Sequence, residues 1–148
     1  MTVLIDADGC PVVNITIKLA RRYQADCLIV CDTSHRFECD GAQTLIVSKG
    51  ADSADFAIVN RVAPGDIVVT QDYGLAAICL ARGGVPIRQD GLVYTSENIG
   101  PLLQERHTAR EIRMSGGRQR KIQKRTAKQD EAFEKALRNL LDSAVAAD

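Results

Sequence analysis

The sequence predicts a three-layer α/β/α fold with a mostly parallel, Rossmann-like central sheet, followed by a basic C-terminal extension. Two observations favour this fold class. Short apolar runs alternate with segments whose apolar residues recur at helical spacing. The runs contain few polar positions, as is typical of strands that are covered on both faces of a parallel sheet. A chain of 148 residues, of which 45% are hydrophobic, can bury one such core.

Three strands are predicted in the first half of the chain, at the apolar runs 2–6, 25–31 and 44–47. Pro11 suits the first turn of a helix that extends through Arg22, because a first turn leaves its N–H groups unpaired and proline has none. Residues 32–43 are polar and predict a long loop.

The alternation continues in the second half of the chain. Asp52 or Ser53 can cap a helix whose apolar positions recur at Phe56, Val59 and Val62. Two further strands and the helix between them are predicted at 66–70, 85–87 and 73–81.

The pattern changes after residue 90. Residues 92–95 suit one more small strand, and Ser96 opens a helix that the Ser-Gly-Gly sequence at 115–117 should end. A final short helix is predicted from the apolar residues Ala132, Leu137, Leu140 and Leu141. We therefore expect an α/β domain over residues 1–114, and a basic, glycine-containing linker with a short helix over 115–148.

A net charge of zero conceals one strongly basic segment. Residues 106–128 contain nine Lys and Arg but a single acidic residue. Clustered cations bind polyanions, since each neutralised phosphate releases counterions. We therefore expect a nucleic-acid partner, with RNA favoured, and a solvated charge run is the alternative. The candidate contacts are Arg113, Arg118, Arg120, Lys121, Lys124 and Arg125.

Composition also narrows the class of protein. The N-terminus shows no leader pattern and no apolar run reaches membrane-spanning length, which predicts a cytoplasmic protein with no membrane partner. Five cysteines, at positions 10, 27, 31, 39 and 79, form no Cys-x-x-Cys pair. Their odd number and spacing argue against a disulfide framework and against a structural zinc site.

Carboxylates at predicted strand ends are the candidate functional residues. In open parallel sheets, ligands bind outside the carboxyl ends of the strands. Asp6 and Asp8 close the first strand, Asp72 follows the fourth, and Asp55 begins the helix after the third. Because converging carboxylates repel one another, we expect all four to bind Mg²⁺ or Mn²⁺ and to catalyse phosphodiester hydrolysis. Helix capping is the alternative for a single aspartate, above all Asp52.

Other polar residues give weaker signals. Cys10 stands at a helix start, where the helix dipole can lower a thiol pKa, although no histidine is paired with it. His35 and His107 lack the spacing of metal ligands. Thr70 and Gln71, beside Asp72, either contact a phosphate or simply end the strand.

The motifs that carry these residues resemble the YaiI/YqxD family, a bacterial family of unknown function, over roughly residues 1–115. The similar segments are Ile5-Asp-Ala-Asp-Gly-Cys-Pro11, Ala54-Asp55, Pro64-Gly-Asp-Ile-Val-Val-Thr-Gln-Asp72 and Gly91-Leu-Val-Tyr-Thr95. That family is grouped with PIN-like nuclease domains for its fold and its acidic positions. The resemblance implies that Asp6, Asp55 and Asp72 match the PIN-like carboxylates, and that Asp8 belongs to the family motif.

Two other functions stay open beside the favoured nuclease-like phosphodiesterase. Leu4-Ile-Asp-Ala-Asp-Gly9 is similar to the opening motif of haloacid-dehalogenase-like phosphatases, in which Asp6 would be the nucleophile and Asp8 the general acid. Cys10 and Pro11 depart from that motif. The second alternative is a non-catalytic RNA-binding module that uses the basic segment.

Overall fold

The computed structural model describes residues 1–32, 41–50, 52–105 and 124–147. The strands are β1 (Thr2–Asp6), β2 (Asp26–Asp32), β3 (Gln43–Val47), β4 (Ile67–Val69) and β5 (Val85–Ile87). The helices are α1 (Val13–Arg22), α2 (Ser53–Val59), α3 (Tyr73–Ala81), α4 (residues 99–105) and α5 (Ala127–Ala147).

The five strands form one sheet in the order β3-β2-β1-β4-β5, and every neighbouring pair is parallel. This confirms the predicted fold class. The apolar strand β1 occupies the centre, where both edges of its backbone are paired and Val3, Leu4 and Ile5 are buried.

Helices cover both faces of the sheet and complete the three layers. Successive residues of a strand point to opposite faces. Val3 and Ile5 accordingly lie in one apolar cluster with residues of α1 and α5, whereas Leu4 lies in a second cluster with residues of α2 and α3. Among the described helices, none combines the length and the apolar character that a membrane span requires.

The C-terminal helix is present, but it is longer than the short helix expected from the sequence. It spans 21 residues, and Phe133, Leu137 and Leu141 are fully buried in the cluster that contains Val3 and Ile5. Tyr23, which directly follows α1, also donates a hydrogen bond to Asp142. The helix is therefore part of the main core. The predicted boundary at residues 114 and 115 lies outside the described residues and stays a prediction.

Helix α2 turns a partly different side to the sheet than its apolar spacing indicated. Ala57 and Ile58 are its buried residues, while the side chain of Phe56 is 64% exposed. Of the apolar positions at helical spacing, Val59 and Val62 pack in the cluster that contains Leu4, and Phe56 does not. Each helical residue rotates the side-chain direction by about 100°, so Phe56 points away from the side on which Ile58 is buried.

Residues 92–95 form no regular strand, contrary to the expectation. Val93 makes a single antiparallel bridge to Ile87, and Tyr94 is buried. Thr95 and Asn98 exchange side-chain to backbone hydrogen bonds of 2.9 and 3.2 Å ahead of α4, so the turn before this helix depends on Thr95 rather than Ser96.

Candidate active site

The candidate site lies where the strand order reverses, between β1 and β4. From β1 the chain proceeds outward to β2 and β3, and then returns through α2 to pair β4 with the other edge of β1. Crevices at such switch points bind ligands at the carboxyl ends of the strands. Asp6 ends β1, and residues 70–72 follow β4 at this same end. Because β1 and β4 are neighbours, the carboxylates that follow them lie at one place on this edge.

Thr70 fixes the position of Asp6 relative to Asp72. Its side chain is fully buried, and its hydroxyl donates to Oδ2 of Asp6 at 2.9 Å. The same hydroxyl accepts the backbone N–H of Asp72 at 3.0 Å. Thr70 therefore joins the ends of two strands at the site instead of merely ending β4.

Asp72 also caps helix α3. Its Oδ1 accepts the backbone N–H of Leu75 at 3.1 Å, as expected of an N-cap carboxylate. Asp72 can therefore cap the helix and belong to the site at the same time, because the capping bond holds its carboxyl group in one orientation beside Asp6.

Asp55 reaches the same place from the first turn of α2. The pKa of its carboxyl is raised to about 6, first by burial, then by the charges of Asp72, Asp6 and Asp52 and by a hydrogen bond to the carboxyl of Asp72. Asp52 occupies the N-cap position but makes no side-chain capping bond. Asp55 is therefore the member of this pair that faces the other carboxylates.

The pKa of Asp6 is raised mainly by burial, with smaller contributions from the charges of Asp72 and then Asp8. The bond from Thr70 acts in the opposite direction. Asp6, Asp55 and Asp72 thus form a coupled group, called here the carboxylate cluster.

Asp8 lies on the β2 side of β1, away from β4. Its carboxylate accepts the backbone N–H of Asp32 at 3.2 Å, which ties the end of β1 to the end of β2. Of the causes that act on Asp6, the charge of Asp8 is the smallest. Asp8 therefore contacts the end of β2 and also acts on Asp6, and its predicted role at the site stays a prediction.

The oxygen donors of the carboxylate cluster suit a hard divalent cation. Within the described residues, no three His, Cys, Asp or Glu side chains are placed to hold a metal ion as they stand. Mg²⁺ commonly takes one or two protein carboxylates and completes its shell with water and substrate phosphate. The pair Asp55 and Asp72 meets this requirement, because the two carboxyl groups lie within hydrogen-bonding distance and a cation can bind both.

Sequence analysis missed a second polar group at this edge, on the β5 side. Arg88 follows β5 and binds both carboxylate oxygens of Asp90 at 2.8 and 2.7 Å. Its Nη1 donates to the hydroxyl of Tyr73 at 3.1 Å. Tyr73 packs edge-on with Tyr94, whose hydroxyl donates to the carbonyl of Thr70 at 3.1 Å. The rule that selected Asp72, a polar residue just beyond a strand, would also have found Arg88.

The predicted nucleic-acid contacts are only partly described. Arg113, Arg118, Arg120 and Lys121 lie outside the described residues, as do His35 and His107. Lys124 is exposed. Arg125 donates to the carbonyl of Gln89 and to Asp130, each at 2.6 Å, so it anchors the start of α5 beside the end of β5. Contact with nucleic acid stays a prediction for the whole set.

The weak signal at Cys10, a helix start that could lower the pKa of the thiol, is not reflected in its surroundings. Burial, and to a smaller extent the negative charge of Asp6, raise the pKa of Cys10 to about 11. These effects outweigh the backbone bond from Val12 and the charge of Arg125, which both lower the pKa. Cys10 is therefore a neutral side chain next to the site.

A groove of about 630 Å³ lies at the opposite edge of the sheet, along the amino ends of β1 and β2. Asp26 is the acidic residue in its lining, and the carboxylate cluster has no part in it. A large volume does not by itself indicate a catalytic or binding function, so the candidate site remains the carboxyl edge of the sheet.

Comparison with known proteins places the chain among uncharacterised bacterial relatives. The sequence model of the uncharacterised YaiI/YqxD family matches residues 4–143. A UPF0178 protein of Exiguobacterium sibiricum is 55% identical over 141 residues, which cover 95% of this chain and 96% of that protein. UPF0178 proteins of Ruminiclostridium cellulolyticum and Alkaliphilus oremlandii are 49% and 44% identical, covering 93% and 96% of this chain and 90% and 92% of their own lengths. No solved structure matches the chain significantly. The chain belongs to the YaiI/YqxD family.

Proposed function

We propose that this protein is a divalent-cation-dependent phosphodiesterase that acts on nucleic acid, with RNA as the favoured substrate. One observation carries the proposal. Asp6, Asp55 and Asp72 come from three separate parts of the chain and form one coupled group at the switch point of the sheet. Gathering three like charges in a partly buried crevice destabilises a fold, so such a group suggests a cationic ligand.

In the proposal, Asp55 and Asp72 hold Mg²⁺ or Mn²⁺ together with water and substrate oxygens. The bound cation would supply a nucleophilic water and would neutralise charge that develops on the phosphate. Asp6 has a raised pKa and a side chain fixed by Thr70, which suits it to accept a proton from the attacking water. For Asp8 we propose a supporting role, because its carboxylate joins the ends of β1 and β2.

The basic segment at residues 106–128 indicates a polyanionic substrate. Nine Lys and Arg within residues 106–128 suit a polyanion far better than a small phosphate ester. Arg125 is anchored to the carbonyl of Gln89, just beyond β5, so the neighbouring exposed Lys124 stands at the carboxyl edge. This position supports delivery of a nucleic-acid strand to the carboxylate cluster.

The phosphatase alternative receives less support from the same geometry. It requires Asp8 to act beside Asp6 as a general acid, yet Asp8 binds the backbone of Asp32 and affects Asp6 least. A covalent aspartyl phosphate mimic formed with beryllium fluoride, in a protein without diesterase activity, would favour the phosphatase over our proposal.

The test is cleavage of labelled single-stranded RNA and DNA by wild type and by Asp72→Asn, with Mg²⁺ or Mn²⁺. Asparagine is as good an N-cap as aspartate, so the variant should fold. We expect cleavage to fall by about two orders of magnitude or more, the usual loss when a group that stabilises transition-state charge is removed. Asp26→Asn, at the exposed amino end of β2, is the matched control.

Retained cleavage in Asp72→Asn would refute the assigned site. A wild type that binds RNA but cleaves neither RNA nor DNA with either metal would refute the enzymatic proposal, and it would favour a non-catalytic binding module.

A further inference from the structure

A phosphodiester that enters the carboxylate cluster meets like charge, so the site also needs hydrogen-bond donors for the phosphate oxygens. The group on the β5 side, Arg88 with Tyr73, is placed to supply them. The inference drawn from it depends on the proposed function, because it assigns a substrate contact at that same site.

Arg88 is held in one orientation. Two parallel bonds to Asp90, through Nε and Nη2, fix the plane of the guanidinium group. Because those two bonds use Nε and Nη2, the remaining nitrogen, Nη1, donates to the hydroxyl oxygen of Tyr73. The hydroxyl therefore accepts from a cation, which makes its own proton a better donor. Among the residues that the structure describes, no acceptor for that proton is found.

Tyr73 stands beside the carboxylate cluster. It directly follows Asp72 and begins α3, and its ring is steadied by the edge contact with Tyr94 at a centroid distance of 5.9 Å. Tyr94 is buried, and its hydroxyl is already bonded to Thr70. Tyr73 is only partly buried, so a ligand at the carboxyl edge can reach it.

The two groups share one electrostatic environment. The charges of Arg88 and Asp72 both act on the hydroxyl of Tyr94, so the guanidinium group and the carboxylate both lie near the tyrosine pair. A phosphate bound at Asp72 would thus have carboxylates toward β1 and α2, and donors toward β5.

We propose that Tyr73 is a substrate-binding residue whose hydroxyl donates to a non-bridging phosphate oxygen of the nucleic acid, and that Arg88 is the positioning residue that holds this hydroxyl.

The first measurement is the affinity of wild type and Tyr73→Phe for an unmodified single-stranded oligonucleotide, with Ca²⁺ in place of Mg²⁺ to limit cleavage while keeping an oxygen-binding cation at the carboxylates. Loss of one hydrogen bond to a charged group should weaken binding by about 10- to 100-fold. The Tm should change little, because the ring and its packing remain. Tyr23→Phe is the matched control, since the hydroxyl of Tyr23 bonds to Asp142 between α1 and α5. Its affinity should equal that of wild type.

The second measurement tests whether Arg88 acts through Tyr73. Arg88→Lys keeps the charge but cannot hold two parallel bonds to Asp90, so it should weaken oligonucleotide binding in the wild-type background. In the Tyr73→Phe background the same substitution should have no further effect. An equal loss in both backgrounds would overturn the positioning role.

The outcomes separate this inference from the proposed function. Unchanged affinity in Tyr73→Phe, with cleavage still lost in Asp72→Asn, would overturn the Tyr73 contact and leave the phosphodiesterase standing. A wild type that neither binds nor cleaves nucleic acid would overturn both.

Discussion

Replacing Asp55 with asparagine should stabilise the metal-free protein above about pH 6. In the folded protein, burial and the charges of Asp72 and Asp6 raise the pKa of Asp55 from 3.8 to about 6. The folded state then binds the proton more tightly than the unfolded state does. The stability that protonated Asp55 contributes is therefore fully present below its pKa in the unfolded state, and it is lost as the pH rises through its pKa in the folded state. Asparagine carries no charge and avoids this loss.

The magnitude follows from the same two pKa values. A rise from 3.8 to about 6 would correspond to about 3 kcal/mol in a fully buried group, at 1.36 kcal/mol for each pH unit. The side chain of Asp55 is only partly buried, and solvent screening reduces the expected gain to about 1 kcal/mol. For a chain of this length, that gain corresponds to a Tm increase of about 3 °C.

The assay is thermal and urea unfolding of wild type, Asp55→Asn and the control Asp26→Asn, near pH 4 and near pH 8, with a chelator present. Asp55→Asn should exceed wild type at the higher pH and should match it at the lower pH. Saturating Mg²⁺ should then stabilise wild type more than the variant, because only wild type keeps both carboxylates of the pair. Equal stability of the two proteins at the higher pH would refute the electrostatic coupling of Asp55 to Asp6 and Asp72.

Two further predictions concern packing and thiol chemistry. Leu137→Ala should lower the free energy of unfolding by about 2–5 kcal/mol in a single urea transition, because Leu137 is fully buried in the main core; separate melting of α5 would contradict this. Alkylation of Cys10, followed by mass spectrometry near pH 8, should be at least about 10-fold slower than that of a free thiol, since a pKa of about 11 leaves little thiolate. A rate equal to that of a free thiol would show that Cys10 is not buried as described.

Much of the architecture could be predicted because its causes are local. Parallel strands that are covered on both faces appear as apolar runs, and all five strands lie within one residue of the predicted runs at each end. The carboxyl edge could also be predicted, because a side chain that directly follows a strand must lie there. Asp6 and Asp72 were identified in this way, and the sheet order then placed them together.

By itself, the sequence determined the alternation of elements, the family resemblance and the acidic strand ends, since each depends on residues that are close together in the chain. Only the tertiary structure decided which groups meet. It placed Asp55 against Asp72 and Asp8 against Asp32, exposed Phe56, buried one face of α5 and raised the pKa of Cys10. It also joined Arg88 to Tyr73 across 15 positions of sequence. Burial and charge coupling depend on how distant elements pack, and no local pattern records that packing.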